Sequence, residues 1–164
     1  MSFILISILI LIISLIPRSI RTEILLDAKQ EDAWEILTNF DEYKEWNPFI
    51  SFIEGKLATG NKLKVVLKQN SSSELKISPT VIEVVEGESF SWIGHLGIPY
   101  IFTGTHSFSL QYNGNKELFL IHSEKFQGIL VWPLYSIISY TINSFNSMNI
   151  ALKKRLSSQN KGIK

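Results

Sequence analysis

Gly128–Lys154 reads GILVWPLYSIISYTINSFNSMNIALKK, and the spacing of its apolar residues decides the fold. Leu134, Ile137, Ile138, Ile142, Phe145, Met148 and Leu152 recur every three or four residues, which is the repeat of one long amphipathic helix. Ile129, Trp132, Tyr135 and Tyr140 widen the stripe until more than half of the circumference is apolar. A helix of this kind is not stable bare in water. It needs a broad apolar surface to lie on, and the strands that precede it supply one.

Working back from the helix, Glu117–Phe126, Phe102–Tyr112 and Ser89–Leu96 read as strands. Val81–Val85 and Glu74–Ile77 flank a Ser78-Pro79 interruption that marks an edge or a bulge. Lys62–Lys68 alternates lysine with apolar residues, as a half-exposed strand does. Phe49–Glu54 is a further strand. Before it, Glu31–Leu37 is a short helix with Ala33, Trp34 and Leu37 on one side, and Phe40–Trp46 is a second helical turn. Asn47-Pro48 stops that turn, because a residue before proline avoids the helical region. Arg21–Leu26 is the first strand. The predicted class is α+β: a curved antiparallel sheet of about seven strands wrapped on a long C-terminal helix, with two short helices after strand 1. The polar tail after Ser157 is expected to fray.

A chain of 164 residues is one domain of ordinary size. With 16 basic and 15 acidic side chains it carries no strong field, so nucleic acid is not an expected partner. It has no cysteine, which excludes disulfides and thiolate chemistry. Ten Phe, four Trp and five Tyr suffice for a large core or for a cavity inside one. No phosphate loop, nucleophile elbow or metal-ligand spacing occurs, so neither a cofactor nor a metal is implied.

Residues 1–17 form a separate hydrophobic segment, apolar from Ser2 to Ile16 except for Ser7 and Ser14. Fifteen helical residues reach about 22 Å, short of the roughly 30 Å hydrocarbon layer even if Pro17 and Ile20 add a little at the interface. The run lacks the basic residues and small-x-small site of a cleaved signal. A membrane anchor is therefore expected ahead of a signal peptide or a buried segment. Arg18 and Arg21 follow the run and place the rest of the chain on the cytoplasmic side. Asn70-Ser71-Ser72 matches a glycosylation sequon, of consequence only in a secretory setting.

Several stretches at their observed separations resemble the START-like (SRPBCC) superfamily, specifically its polyketide cyclase/dehydrase-like group, over residues 20–157. They are Ala33–Phe40, Tyr43–Ile50 with Trp46-Asn47-Pro48, Phe90-Ser91-Trp92, Gly104–Phe108, Glu124-x-Phe126-x-Gly128 and Phe145–Lys153. The resemblance implies a helix-grip fold and a cavity for a hydrophobic small molecule such as a lipid, quinone, sterol or polyketide. It leaves carrier and cyclase/dehydratase-like enzyme both open, because one fold hosts many functions.

Strand parity indicates what faces the helix. Phe90, Trp92, Gly94 and Leu96 are even-numbered, as are Gly104, His106, Phe108 and Leu110, while Thr103, Thr105, Ser107 and Ser109 form a polar outer row. The last strand contributes His122, Glu124 and Phe126 to the even face. The loop Gly97–Ile101 pairs Leu96 with Phe102, hence Trp92 with His106 and Gly94 with Gly104. A three-residue loop at Asn113-Gly114-Asn115 pairs Tyr112 with Lys116, hence His106 with His122 and Gly104 with Glu124. Two facing glycines remove side chains where the helix would press, so space is expected there. Ligand contacts are expected from Trp46, Trp92, Gly94, Gly104, His106, Phe108, His122, Glu124, Phe126, Trp132 and Ile138. His106, His122 and Glu124 are read as a structural polar cluster, as the polar floor that orients a mostly apolar ligand, or, as candidates for proton transfer or a metal, as a chemical site.

Overall fold

The structure, a computed structural model, describes residues 16–70 and 73–161. The hydrophobic segment up to residue 15, and Ser71 and Ser72 of the sequon, lie outside the described residues. Among the described residues no helix is long and apolar enough to cross a membrane.

The chain runs β1 (Arg18–Leu26), α1 (Gln30–Thr38), a 3-10 turn (Phe40–Glu42), α2 (Tyr43–Trp46), β2 (Ile50–Glu54), β3 (Lys64–Asn70), β4 (Ser73–Ile77), β5 (Thr80–Val85), β6 (Ser89–His95), β7 (Thr103–Tyr112), β8 (Leu118–Gln127) and α3 (Tyr135–Lys161). All strand pairs are antiparallel. Five strands form one sheet in the order β1-β8-β7-β6-β5, and three form another in the order β2-β3-β4. The division falls at Ser78-Pro79, since proline has no N–H for the ladder. Backbone bonds across the division, Leu63 N to Pro79 O at 2.9 Å and Val81 N to Asn61 O at 2.8 Å, keep the two pieces one curved surface.

Phe145, Met148, Leu152 and Leu156 of α3 are buried against this surface. The stripe is narrower than the sequence suggests: Ile142, Tyr135, Tyr140 and Ile129 remain exposed. The helix also runs on through Lys161, past the point where a frayed tail was expected. β1 begins three residues earlier than predicted, and Ile20 is a core residue rather than an extension of the apolar run before it.

The motifs behind the resemblance have local structural causes. Asn47 Oδ1 accepts from the N–H groups of Phe49 and Ile50 at 2.9 and 2.8 Å, turning the chain out of α2 into β2. Gly128 has φ +122°, and a Cβ there would lie 2.5 Å from the Ile101 carbonyl oxygen, so only glycine fits. That close approach ties the chain after β8 to the β6–β7 loop, with Ile129 N donating to Tyr100 O at 3.1 Å and Leu130 N to Ile101 O at 3.0 Å.

Candidate functional site

Between the sheets and α3 lies a cavity of about 530 Å³, well inside the range of small-molecule sites. Its walls come from three directions. Phe49, Leu67, Leu75 and Ile77 belong to β2–β4 and their entry, and Trp92, Gly94, Gly104, Glu124 and Phe126 to the five-stranded sheet. Ile138, Tyr140, Thr141 and Ser144 close it from α3. Gly94 and Gly104 stand opposite each other in the β6–β7 ladder, as the loop length predicts. Their missing side chains leave room between the sheet and the helix here. At Gly104 the space is used: a Cβ would lie 2.3 Å from Glu124 Oε1, so the carboxyl lies across this glycine.

The β7–β8 register differs from the expected one by two residues. Tyr112 pairs with Leu118, His106 with Glu124, Phe108 with His122 and Gly104 with Phe126. The connection is a five-residue loop. Asn113 Oδ1 accepts from Asn115 N and Glu117 N, both at 2.9 Å, and Lys116 takes a left-handed conformation with φ +61°. A slip of two keeps every side chain on its face, so parity could not distinguish the two loops. The inward rows are therefore Trp92–His106–Glu124 and Phe90–Phe108–His122, continued on β1 by Ile20 and Thr22.

Both imidazoles are buried in an aromatic stack. The His122 ring lies between Phe145, 3.6 Å away at 6°, and Phe108, 4.4 Å away at 28°. His106 stacks on Trp92 at 4.9 Å. Their edges carry a polar chain. His106 Nε2 and His122 Nε2 are 2.8 Å apart, and His122 Nδ1 is 3.0 Å from Asn149 Oδ1. Asn149 Nδ2 donates to Thr22 Oγ1 at 2.9 Å, and the Thr22 hydroxyl donates to the His122 carbonyl at 3.3 Å. At the other end His106 Nδ1 is 3.5 Å from Glu124 Oε2. Burial pushes the Glu124 carboxyl up to about 8 and holds His106 down to about 3. His122 is lowered too, by burial first and by His106 second, against the bond to Asn149. Burial thus favours the neutral form of all three groups.

Of the expected contacts, Trp92, Gly94, Gly104, Glu124, Phe126 and Ile138 line the cavity. His106, Phe108 and His122 do not. They form the layer behind its wall, with all three rings in mutual contact. Trp46 packs on Tyr43 at 5.0 Å, and Trp132 lies under the Arg18 guanidinium at 4.0 Å, so neither faces the cavity. The polar member missed from the sequence is Asn149. It stands four residues after Phe145, hence on the same helix face, and that spacing was the available signal. Among the described residues no group of three His, Asp or Glu side chains is arranged to hold a metal ion.

A long C-terminal helix gripped by a curved antiparallel sheet, with a cavity between them, is the helix-grip architecture, and the chain has the START-like (SRPBCC) fold. Solved structures agree. A START superfamily protein from Mycobacterium smegmatis superposes with a TM-score of 0.67 at 17% identity, over 86% of this chain and 98% of that one. Norcoclaurine synthase from Thalictrum flavum, in complex with dopamine and hydroxybenzaldehyde, gives 0.68 at 14% over 89% and 90%. The di-domain aromatase/cyclase BexL of the BE-7585A biosynthetic pathway gives 0.67 at 11% over 87% of this chain and 50% of that one. No protein-family model and no curated protein matches the sequence. At such identities the likeness is one of fold.

Proposed function

We propose that the chain binds a hydrophobic small molecule, of lipid, quinone, sterol or polyketide type, in the cavity between sheet and helix. The observation that carries this reading is the cavity itself. It is walled mainly by aromatic and aliphatic side chains, given room by Gly94, and supplied with one half-buried carboxyl, that of Glu124, lying across Gly104. The fold neighbours include proteins whose names or bound molecules involve small organic compounds, which agrees with the reading.

The N-terminal segment is proposed to hold this domain at a membrane, on the cytoplasmic side. Its composition supports that, and so does the point of attachment. Arg18, at the start of β1, pairs with Phe126 and stacks on Trp132, at the end of the molecule where the β6–β7 loop presents Ile98 and Tyr100 to solvent. That loop joins Leu96 to Phe102, which both line the cavity. A ligand drawn from the bilayer would thus have a short path.

Native mass spectrometry of the full chain, released from lipid nanodiscs, tests the binding reading. A co-purifying lipophilic mass that leaves on denaturation is expected. A bare chain, together with failure to take up any of a panel of lipids, quinones and sterols, would remove the carrier reading. A second reading, a cyclase or dehydratase-like enzyme, is favoured by one feature: a carboxyl on the cavity wall backed by two hydrogen-bonded histidines. Glu124→Gln separates the two. A carrier keeps its affinity within a few-fold, whereas an enzyme loses most of its turnover.

A further inference from the structure

The hydrogens of the buried polar chain follow by elimination from its far end. The His122 carbonyl only accepts, so the Thr22 hydroxyl spends its hydrogen there. Thr22 Oγ1 must then accept from Asn149 Nδ2, which turns Asn149 Oδ1 toward His122 Nδ1. An amide oxygen also only accepts, so His122 carries its hydrogen on Nδ1. The buried, neutral His122 has a lone pair on Nε2, and His106 Nε2 must donate to it across 2.8 Å. His106 in turn has only a lone pair left on Nδ1, and this faces the Glu124 carboxyl. Every link carries one hydrogen, and all point away from the cavity.

We propose that Thr22 and Asn149 act as positioning residues that fix the tautomers of both histidines, so that Glu124 stands as a neutral acid. Its O–H is then offered to a carbonyl oxygen of the bound molecule. The ligand class is accordingly an apolar ketone or quinone, rather than an amine or a plain hydrocarbon. This deepens the proposed binding function and rests on it. Three facts support it. An ionised carboxylate would face the His106 lone pair and be repelled, and protonation of the carboxyl lessens that repulsion. The 3.5 Å separation is longer than a good hydrogen bond, so His106 does not tie up the hydrogen of the acid. Burial raises Glu124 and lowers His106, and in both it favours the neutral form. Around the carboxyl, the ionisable groups from other elements are Lys68 of β3 and His95 of β6, both on the cavity lining. α3 presents Ser136, Tyr140, Thr141 and Ser144 there, and β1 presents Ile20 opposite Glu124.

The experiment has two arms on the full chain. In the first, 13C carboxyl resonances of glutamate-labelled protein are recorded at neutral pH, with Glu124 assigned by its loss in Glu124→Gln. The acid shift is expected in the native chain. Asn149→Asp reverses the direction. Its carboxylate holds a cationic His122, which donates to His106 Nε2, and His106 then donates from Nδ1 to an ionised Glu124. The resonance should move to the carboxylate position, an effect that loss of packing alone would not produce. A carboxylate in the native chain, or an acid that persists in folded Asn149→Asp, overturns the wiring. In the second arm, 2-methyl-1,4-naphthoquinone is compared with 2-methylnaphthalene. The quinone should bind about threefold to tenfold tighter, the worth of one hydrogen bond. That preference should vanish in Glu124→Leu and fall in Gly104→Ala, whose Cβ displaces only the tip of the Glu124 side chain. Equal binding of the two probes overturns the ligand class. Binding of neither defeats the cavity reading and the ligand class together, while the first arm still decides the wiring.

Discussion

Replacing Glu124 with Gln should change how the stability of the protein depends on pH, and the direction can be worked out. The folded carboxyl is pushed up to about 8 from 4.5. A raised carboxyl holds its proton in the folded state where the unfolded chain has released it. The stability it contributes is complete below pH 4.5 and is lost as pH rises to about 8. The histidines act in the opposite sense. His106 is held down to about 3 from 6.5, and His122 also below 6.5, so their contribution is present above pH 6.5 and lost as pH falls. Each proton difference is worth about 1.4 kcal/mol per pH unit. Below pH 4.5 two histidines act together, and stability climbs with pH. Between 4.5 and 6.5 the carboxyl offsets one of them. From 6.5 to 8 the carboxyl acts alone, and stability falls by up to about 2 kcal/mol. The Glu124 side chain is 17% exposed toward the cavity, and screening there reduces the loss to about 1 kcal/mol. Urea unfolding at a series of pH values is the assay. With a slope near 2 kcal/mol per M, the wild-type midpoint should drop by about 0.5 M between pH 6.5 and 8. The Glu124→Gln midpoint should stay level over that interval. The difference between the two chains matters, because exposed groups titrate alike in both. Parallel profiles for wild type and variant would refute the reasoning, since Glu124 would then titrate alike in the folded and unfolded chain.

Three further outcomes are expected. Phe145→Ala removes a fully buried ring that stacks on His122 and packs on Phe49 and His106, so thermal or urea unfolding should register a loss of about 3–5 kcal/mol. Lys116→Gly relieves a left-handed conformation at φ +61° in the β7–β8 loop and should stabilise the fold by about 0.5–1 kcal/mol; a loss instead would mean that the Lys116 side chain has a role the backbone angle does not capture. Ile138→Trp puts a larger ring into the cavity from α3, and fluorescent-probe titration should show binding lost while stability changes by no more than about 1–3 kcal/mol.

What the sequence reveals here follows from which interactions have a short period. Face assignment in β6, β7 and β8 depends only on alternation, so Trp92, His106, Glu124 and Phe126 could be placed on the inner surface by parity alone. The β6–β7 register was legible because Leu96 and Phe102 bracket a loop of defined length, and Leu96 N bonds Phe102 O at 2.9 Å. The β7–β8 register was not, because three-residue and five-residue loops satisfy the same alternation. The choice between them rests on Asn113 capping two backbone N–H groups, which no apolar pattern encodes. The observed register puts Glu124 next to His106 and His122 next to Phe108 instead, yet His106 and His122 still meet, because diagonal neighbours on one face are within reach of a ring. The walls from β2–β4 were out of reach for another reason. Leu67, Leu75 and Ile77 face the cavity only because the sheet divides at Pro79 and folds over, a long-range arrangement that local periodicity does not carry. Asn149 is the instructive case. Its position on the Phe145 face was readable, but a polar residue on an apolar stripe has meaning only once its partners are known. Those partners, Thr22 and His122, lie 127 and 27 residues away. A buried amide at such a place is costly unless both of its ends are used. Both ends of Asn149 are used, by groups that only one orientation satisfies, so the residue that breaks the apolar pattern of α3 is also the one that sets the proton order of the site.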